Sequence, residues 1–200
     1  GWLSPLALAI VFWYSLAKRF TSYTQAFLGL AMAVAPVGGW LAAGGAIGDA
    51  QPWTLGLAIG LWVGGFDILY ACQDLEFDRG YGLRSIPVRF GVSRSIAISR
   101  LMHVLTVVSM AALWQAAHLP STYLIGVGIV AVLLVYEQSL VSADDLSQVT
   151  ETFVRIKIQQ VVVIMTSSLS LTLAIATTWP LRSLVLMSIK PLPPRFWERY

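Results

Sequence analysis

The stretch GFDILYACQDLEFDRGYGLRSIPVRFG, residues 65–91, begins inside an apolar segment and ends in a charged one. Three aspartates mark the crossing: Asp67, Asp74 and Asp78. Their separations of seven, four and eleven residues each return to one face of a helix with 3.6 residues per turn. Tyr70 follows three residues after Asp67 and shares this face. We therefore predict a helix that carries a line of carboxylates from within the apolar segment to its end.

Long uncharged segments surround this stretch. Of the 200 residues, 57% are hydrophobic and 12% are charged, whereas charged residues make up about a quarter of soluble globular domains. No Asp, Glu, Lys or Arg occurs in residues 1–17, 20–48, 50–66, 101–136 or 158–181. A membrane-crossing helix needs roughly 20 apolar residues. The predicted fold class is all-α, a polytopic transmembrane helix bundle of about six spans, which include 24–47, 53–73, 96–117, 123–141 and 158–178.

These spans are expected to form one domain with a defined orientation. We predict a transmembrane domain over residues 1–178 and a C-terminal interfacial or disordered tail over 179–200. Lys and Arg cluster in three connections on one side and are absent from the opposite connections, around 48–52 and 118–121. The basic side is therefore expected to face the cytoplasm. We expect an integral protein of the bacterial inner membrane, in contact with lipid, with a cytoplasmic-side site and no nucleic-acid partner.

Several residues are expected to serve packing. Gly56, Gly60 and Gly64 recur every four residues, a spacing that lets helix backbones approach closely. His103 is interpreted as a hydrogen-bonded packing residue, and the single cysteine, Cys72, as a buried small residue.

The aspartates of the opening stretch suit a divalent cation. Asp67 lies roughly 16 Å along a helix from Asp78, below the membrane surface, where an ionisable side chain usually marks a functional path. Asp74 and Asp78 lie nearer the surface, and Mg²⁺ is commonly held by one or two carboxylates together with substrate phosphates. Arg79 and Arg84, just beyond, could bind the same phosphates. A solvated helix end would explain the acidic residues near the surface but not Asp67.

The same residues resemble the second aspartate-rich motif of the UbiA superfamily of intramembrane prenyltransferases. That motif has a deep Asp, then D-x-x-x-D seven residues later, a small loop, a basic residue and Ser. The matching positions are Asp67, D-L-E-F-D at 74–78, Gly82, Arg84 and Ser85. The family's Y-x-x-x-K element at a helix end is matched by Y-S-L-A-K at 14–18. The resemblance extends to about residue 178, and within the family it is strongest to the 4-hydroxybenzoate polyprenyltransferases.

The resemblance implies a nine-helix bundle around a cavity that opens laterally to lipid. It also implies transfer of a polyprenyl group from polyprenyl diphosphate to an aromatic acid such as 4-hydroxybenzoate in quinone biosynthesis. Carried over by position, Asp74 and Asp78 would bind Mg²⁺, and Asp67 would orient the acceptor or assist proton removal. The diphosphate would be bound by Lys18, Tyr14, Arg84, Ser85 and Arg79. Asp67, Asp74, Asp78 and Lys18 would then be the catalytic residues.

The sequence departs from the family pattern in two places. The family's first motif, N-D-x-x-D-x-x-x-D, is absent from the chain. We expect the helices that carry it to precede Gly1, so that this chain holds half of the metal site and is inactive alone. The segment I-K-I-Q-Q at 156–160 stands where relatives usually have Asn or Gly, which leaves the acceptor open.

Other functions were compared with this one. Within the family, the acceptor could instead be a naphthoate of the menaquinone branch, a haem precursor, chlorophyllide or homogentisate. Membrane CDP-alcohol phosphotransferases also use paired aspartates on a helix, but they need a D-G-x-x-A-R element that the sequence lacks. A cation-coupled transporter could use Asp67 as its relay, but it would not require Y-x-x-x-K beside D-x-x-x-D.

Overall fold

Helices make up all the regular structure of residues 4–142, the part of the chain that the computed structural model describes. In chain order they are α1 (Ser4–Phe20), α2 (Thr24–Ala42), α3 (Ala50–Gln73), α4 (Leu75–Gly80), α5 (Ile86–Phe90), α6 (Val92–Ala116) and α7 (Thr122–Ser139). No strand occurs in this range. The predicted all-α class is confirmed.

Four of these helices, α2, α3, α6 and α7, are long and apolar enough to cross a membrane. Each corresponds to a predicted span. Apolar side chains on their outer surfaces, such as Val108 of α6 and Val135 of α7, are more than half exposed. Exposed apolar surface of this extent is typical of contact with lipid. The predicted span at 158–178 and the tail at 179–200 lie outside the described residues, so the total of six spans stays a prediction.

The central helix of the described bundle is α3, which packs between α2 and α6. Its Trp62 and Val63 belong to the main apolar core, together with Leu113 of α6 and Val130 of α7. The residues after this core, from Asp67 onward, carry α3 to the end of the bundle where the charged stretch begins. The core thereby fixes the position of the aspartates.

Glycines allow α2 and α3 to pack with their backbones in contact. A Cβ atom at Gly60 would lie 2.8 Å from the carbonyl oxygen of Gly29, and one at Gly56 would lie 2.7 Å from that of Ala33. At Gly64 a Cβ atom would meet the Met102 side chain of α6 at 2.7 Å. The predicted close approach at residues 56, 60 and 64 is therefore confirmed.

The second span is shorter than predicted, because α2 ends at Ala42 rather than near residue 47. Gly44 then adopts a positive φ of 91°, which glycine tolerates without steric cost. Asp49 closes the turn, since its carboxylate accepts hydrogen bonds from the Trp40 indole at 2.7 Å and from the Ala46 amide at 2.8 Å. An aspartate that looks like an ordinary loop residue thus sets the end of α2 and the start of α3.

Candidate active site

A short interruption separates α3 from α4 at Asp74. The Asp74 amide donates to the Tyr70 carbonyl at 3.3 Å, and the Asp78 amide donates to the Asp74 carbonyl at 2.8 Å. The helical hydrogen bonds therefore continue across the break, but the three carboxylates have different surroundings. Asp67 is half-buried, Asp74 is exposed and Asp78 is fully buried. Helical spacing predicted one continuous line of carboxylates. The structure interrupts this line at Asp74, where the metal site was predicted.

The Asp78 carboxylate forms an ion pair with Lys18 of α1. The Lys18 Nζ lies 3.2 Å from Asp78 Oδ1 and 3.5 Å from Oδ2. The Lys18 side chain is 36% exposed, whereas that of Asp78 is 0% exposed. A buried carboxylate needs a charged partner of this kind. The pair joins two sequence elements, Y-x-x-x-K and D-x-x-x-D, that stand 60 residues apart.

The loop after α4 is bound to the end of α1 by hydrogen bonds from Arg84. Its backbone amide donates to the Lys18 carbonyl at 2.9 Å, and its Nη1 donates to the Phe20 carbonyl at 3.0 Å. Leu83 meanwhile donates its amide to the Asp78 carbonyl at 2.8 Å. A cation at a helix C-terminus is electrostatically favourable. Arg84, which is exposed, is thus held at the end of α1 that also carries Lys18.

The start of α2 holds the same loop from the other side. Thr24 Oγ1 lies 3.1 Å from the Thr21 carbonyl and 3.4 Å from the Arg84 carbonyl, and its hydroxyl can donate to either. The Ile86 amide donates to Gln25 Oε1 at 3.3 Å. Thr24, Gln25 and Ser85 are all fully buried. Sequence reasoning selected Ser85 but missed Thr24 and Gln25; two polar residues that open an apolar span were the available signal.

The remaining predicted residues lie on α1, on α3 and near or within α4. Arg79 is exposed on α4, and Asp67 lies within α3, seven residues before Asp74. Tyr14 lies four residues before Lys18 in α1; its backbone is described but its side chain is not. The structure therefore brings together Lys18, Asp78, Arg84 and Ser85, and the roles of all the predicted site residues stay predictions.

Comparison with known proteins identifies the family of this chain. The sequence profile described as the UbiA prenyltransferase family matches residues 1–164. The chain belongs to this family. A 4-hydroxybenzoate octaprenyltransferase of Marinobacter nauticus is 35% identical over 131 residues, which cover 66% of this chain and 44% of the relative. The mitochondrial 4-hydroxybenzoate polyprenyltransferase of Arabidopsis thaliana is 40% identical over 89 residues, covering 44% of this chain and 22% of the relative.

A solved structure shares the UbiA fold. The apo structure of a UbiA homologue from Aeropyrum pernix K1 matches with a TM-score of 0.74 and 31% identity, covering 84% of this chain and 62% of that one. The resemblance stated from the motifs is confirmed at the level of family and fold. This UbiA-family chain spans less than half the length of the two curated relatives.

A magnesium site at Asp74 and Asp78 stays a prediction. No group of three or more His, Cys, Asp or Glu side chains with metal-binding geometry occurs between residues 4 and 142. Asp74 and Asp78 are two oxygen donors one turn apart, and such a pair fits the preference of Mg²⁺ for a few carboxylates plus phosphate oxygens and water. The donor set therefore fits Mg²⁺ when a diphosphate completes the coordination.

A second polar cluster joins α6 and α7. Gln138 Nε2 donates to Ser99 Oγ at 2.9 Å and lies 3.0 Å from His103 Nδ1. His103 is 3% exposed, so its interpretation as a hydrogen-bonded packing residue is confirmed. Glu137, also on α7, is fully buried within electrostatic reach of Tyr70. Sequence reasoning missed Glu137 and Gln138, because both lie at the end of a long apolar span.

Replacement of Gln138 by leucine tests the structural role of this cluster. We expect Gln138→Leu to lower the stability of the full-length protein by about 1–3 kcal/mol, because Ser99 and His103 would each lose a buried partner. The measurement is thermal unfolding in detergent. Gln115→Leu, at an exposed position on the same bundle, is the control. Equal unfolding temperatures for the two variants would contradict the prediction.

Proposed function

We propose that this chain is part of an Mg²⁺-dependent enzyme that transfers a polyprenyl group from polyprenyl diphosphate to an aromatic acid, such as 4-hydroxybenzoate, in quinone biosynthesis. Membership of the UbiA prenyltransferase family supports the reaction class. Two relatives whose names specify 4-hydroxybenzoate support the acceptor class. The observation that carries the proposal is the ion pair between Lys18 and the fully buried Asp78, beside exposed Asp74 and Arg84.

The reaction would begin with loss of diphosphate from the prenyl donor. The bond between the allylic carbon and the bridging oxygen breaks, and both electrons leave with the diphosphate. Asp74 and Asp78 would hold Mg²⁺, which when bound would supply positive charge to the leaving oxygens. Lys18 and Arg84 would donate hydrogen bonds to the same oxygens, with Ser85, Tyr14 and Arg79 as further donors. Charge-assisted hydrogen bonds of this kind favour the departing anion.

The acceptor would then attack the allylic cation. An electron-rich ring carbon forms the new carbon–carbon bond, and the ring regains aromaticity by losing the proton from that carbon. Asp67 is proposed to orient the acceptor or to receive this proton, because it is a half-buried carboxylate on α3 below Asp74. The apolar outer surfaces of α6 and α7 would keep the bundle within the membrane. The prenyl chain of the donor would lie in the same lipid.

The site is proposed to face the cytoplasm from the inner membrane. Lys18, Arg79 and Arg84 lie at the end of the bundle where α3 meets α4, and the opposite connections contain no Lys or Arg. This distribution supports a cytoplasmic orientation by the positive-inside rule.

An acceptor assay tests the proposed function. Membranes that contain the full-length protein are incubated with Mg²⁺, a polyprenyl diphosphate, and 4-hydroxybenzoate or a dihydroxynaphthoate in parallel. We expect a prenylated 4-hydroxybenzoate by mass spectrometry, and no product after Mg²⁺ is removed with EDTA. If only the dihydroxynaphthoate gave a product, the acceptor would be a naphthoate of the menaquinone branch. Failure to prenylate any phenolic acid would contradict the proposal.

A further inference from the structure

Two buried hydrogen-bonding groups, one near the start of α2 and one immediately before α5, have no partner in the described residues. They are Gln25 Nε2 and Ser85 Oγ. Both side chains are 0% exposed. A buried polar group that lacks a partner costs roughly 1–3 kcal/mol, so such groups are normally satisfied by protein, water or ligand. Gln25 and Ser85 therefore each offer a donor that a ligand could use.

The orientation of the Gln25 amide follows from the backbone that it contacts. The Ile86 amide is a donor, so the oxygen of the Gln25 side chain must face it, at 3.3 Å. The amide nitrogen, which is a donor only, therefore points elsewhere. Ser85 immediately precedes Ile86, so the backbone segment that Gln25 binds also carries the Ser85 hydroxyl. The result is two buried donors on segments that the hydrogen bond from Ile86 to Gln25 joins.

The backbone of the loop connects this location to Lys18. Arg84 donates its amide to the Lys18 carbonyl at 2.9 Å, and Ile86 donates its amide to Gln25 two residues later. Two residues span at most about 7 Å of chain. The Gln25 amide, the Ser85 hydroxyl and the end of α1 are therefore held along one short segment, and the cations Lys18 and Arg84 lie at its start.

We propose that Gln25 is a further diphosphate-binding residue, whose Oε1 positions the Arg84–Ile86 segment and whose Nε2 donates, together with Ser85 Oγ, to an anionic phosphate oxygen. This inference rests on the proposed function, because it assigns a donor to the same diphosphate. It goes beyond the motif, since Gln25 belongs to neither Y-x-x-x-K nor D-x-x-x-D. An amide and a hydroxyl donate hydrogen bonds without ionising, so they can stabilise an anionic oxygen without transferring a proton to it.

Substitutions can separate the two roles of Gln25. Gln25→Glu keeps an acceptor for the Ile86 amide but replaces the donor by a negative charge. Gln25→Met removes both functions. Ser85→Ala removes the second donor without touching Gln25. Gln51→Glu is the matched control, because Gln51 is another amide bound to backbone, with Nε2 3.1 Å from the Ala116 carbonyl at the opposite end of α3.

The test is binding of a prenyl thiolodiphosphate, which resists ionisation, to the full-length protein in Mg²⁺. Isothermal titration gives its Kd, and steady-state assays give the KM of the acceptor. We expect Gln25→Glu and Ser85→Ala each to raise the Kd roughly 10-fold to 100-fold, the range for a hydrogen bond to a charged group. The acceptor KM and the Gln51→Glu Kd should stay at their wild-type values.

The outcomes distinguish this inference from the function on which it rests. A wild-type protein that binds the probe, with an unchanged Kd in Gln25→Glu and Ser85→Ala, would overturn the Gln25 assignment and leave the proposed function intact. An effect confined to Gln25→Met would show that Gln25 only positions the loop, which also overturns it. A wild-type protein that neither binds the probe nor transfers a prenyl group would overturn both.

Discussion

We expect Asp78→Asn to lower kcat for prenyl transfer by the full-length protein on the order of 10²–10³-fold, the loss typical of one electrostatic contact to the reacting groups. Asp78 is fully buried and paired with Lys18 at 3.2 Å. Asparagine has the same size and can still accept a hydrogen bond from Lys18, but it lacks the charge that would hold Mg²⁺. The activity should therefore fall much more than the folded yield. The measurement is product formation at saturating substrate, with thermal unfolding as the check on folding.

Substitutions at two neighbouring acidic residues give a more specific test of the Asp78 assignment. Asp74→Asn should also reduce activity, without a change in stability, because Asp74 is exposed and the structure gives it no ion pair among the described residues. Glu76→Gln is the control, since Glu76 is an exposed carboxylate on the same short helix. Similar losses in all three variants would show that net charge at this end of the bundle matters, and would contradict the assignment of Asp74 and Asp78.

Gly60→Val is expected to lower the yield of folded protein strongly. A Cβ atom at Gly60 would lie 2.8 Å from the Gly29 carbonyl oxygen, which belongs to a helix backbone and cannot rotate away. Overpacking of a well-packed core typically costs about 1–3 kcal/mol. The two helices also carry Gln25 and Asp67, and α3 leads directly to Asp74 and α4, so the same change should disturb the site. The measurement is the yield of folded, monodisperse protein in detergent.

Gly39→Val controls for loss of glycine as such. Gly39 lies in α2, and no described side chain or backbone atom falls within 4 Å of a Cβ atom placed there. The same β-branched residue should therefore be tolerated at position 39. Equal loss of folded protein at positions 39 and 60 would contradict the view that the contact between α2 and α3 determines the bundle.

Much of the described fold follows from the sequence, because uncharged segments of membrane length must form helices. The ends were harder to predict. Asp49 closes the turn after α2 through contacts with Trp40 and Ala46, and neither contact has a periodic signal. The short helices α4 and α5 lie in a polar stretch, which is too brief for a 3.6-residue period to be recognised.

The residues of the site could be predicted from the sequence, but their positions relative to one another could not. Spacing and family resemblance selected Lys18, Asp78, Arg84 and Ser85, which the fold brings together. Spacing alone placed the aspartates on one face, whereas their environments depend on the break at Asp74 and on α1, which contacts Asp78 from 60 residues away. Gln25 was missed for the same reason: its partner, Ile86, lies 61 residues away.

Mg²⁺-dependent diphosphate binding tests most directly the claim that Lys18 and Asp78 form a diphosphate and metal site. Titration of the full-length protein with a prenyl thiolodiphosphate, in Mg²⁺ and in EDTA, is compared for the wild type, Lys18→Met and Asp78→Asn. We expect tight binding only for the wild type in Mg²⁺, weakened binding for Lys18→Met, and no response to Mg²⁺ for Asp78→Asn. Equal affinity in Mg²⁺ and EDTA, with both variants like the wild type, would contradict it.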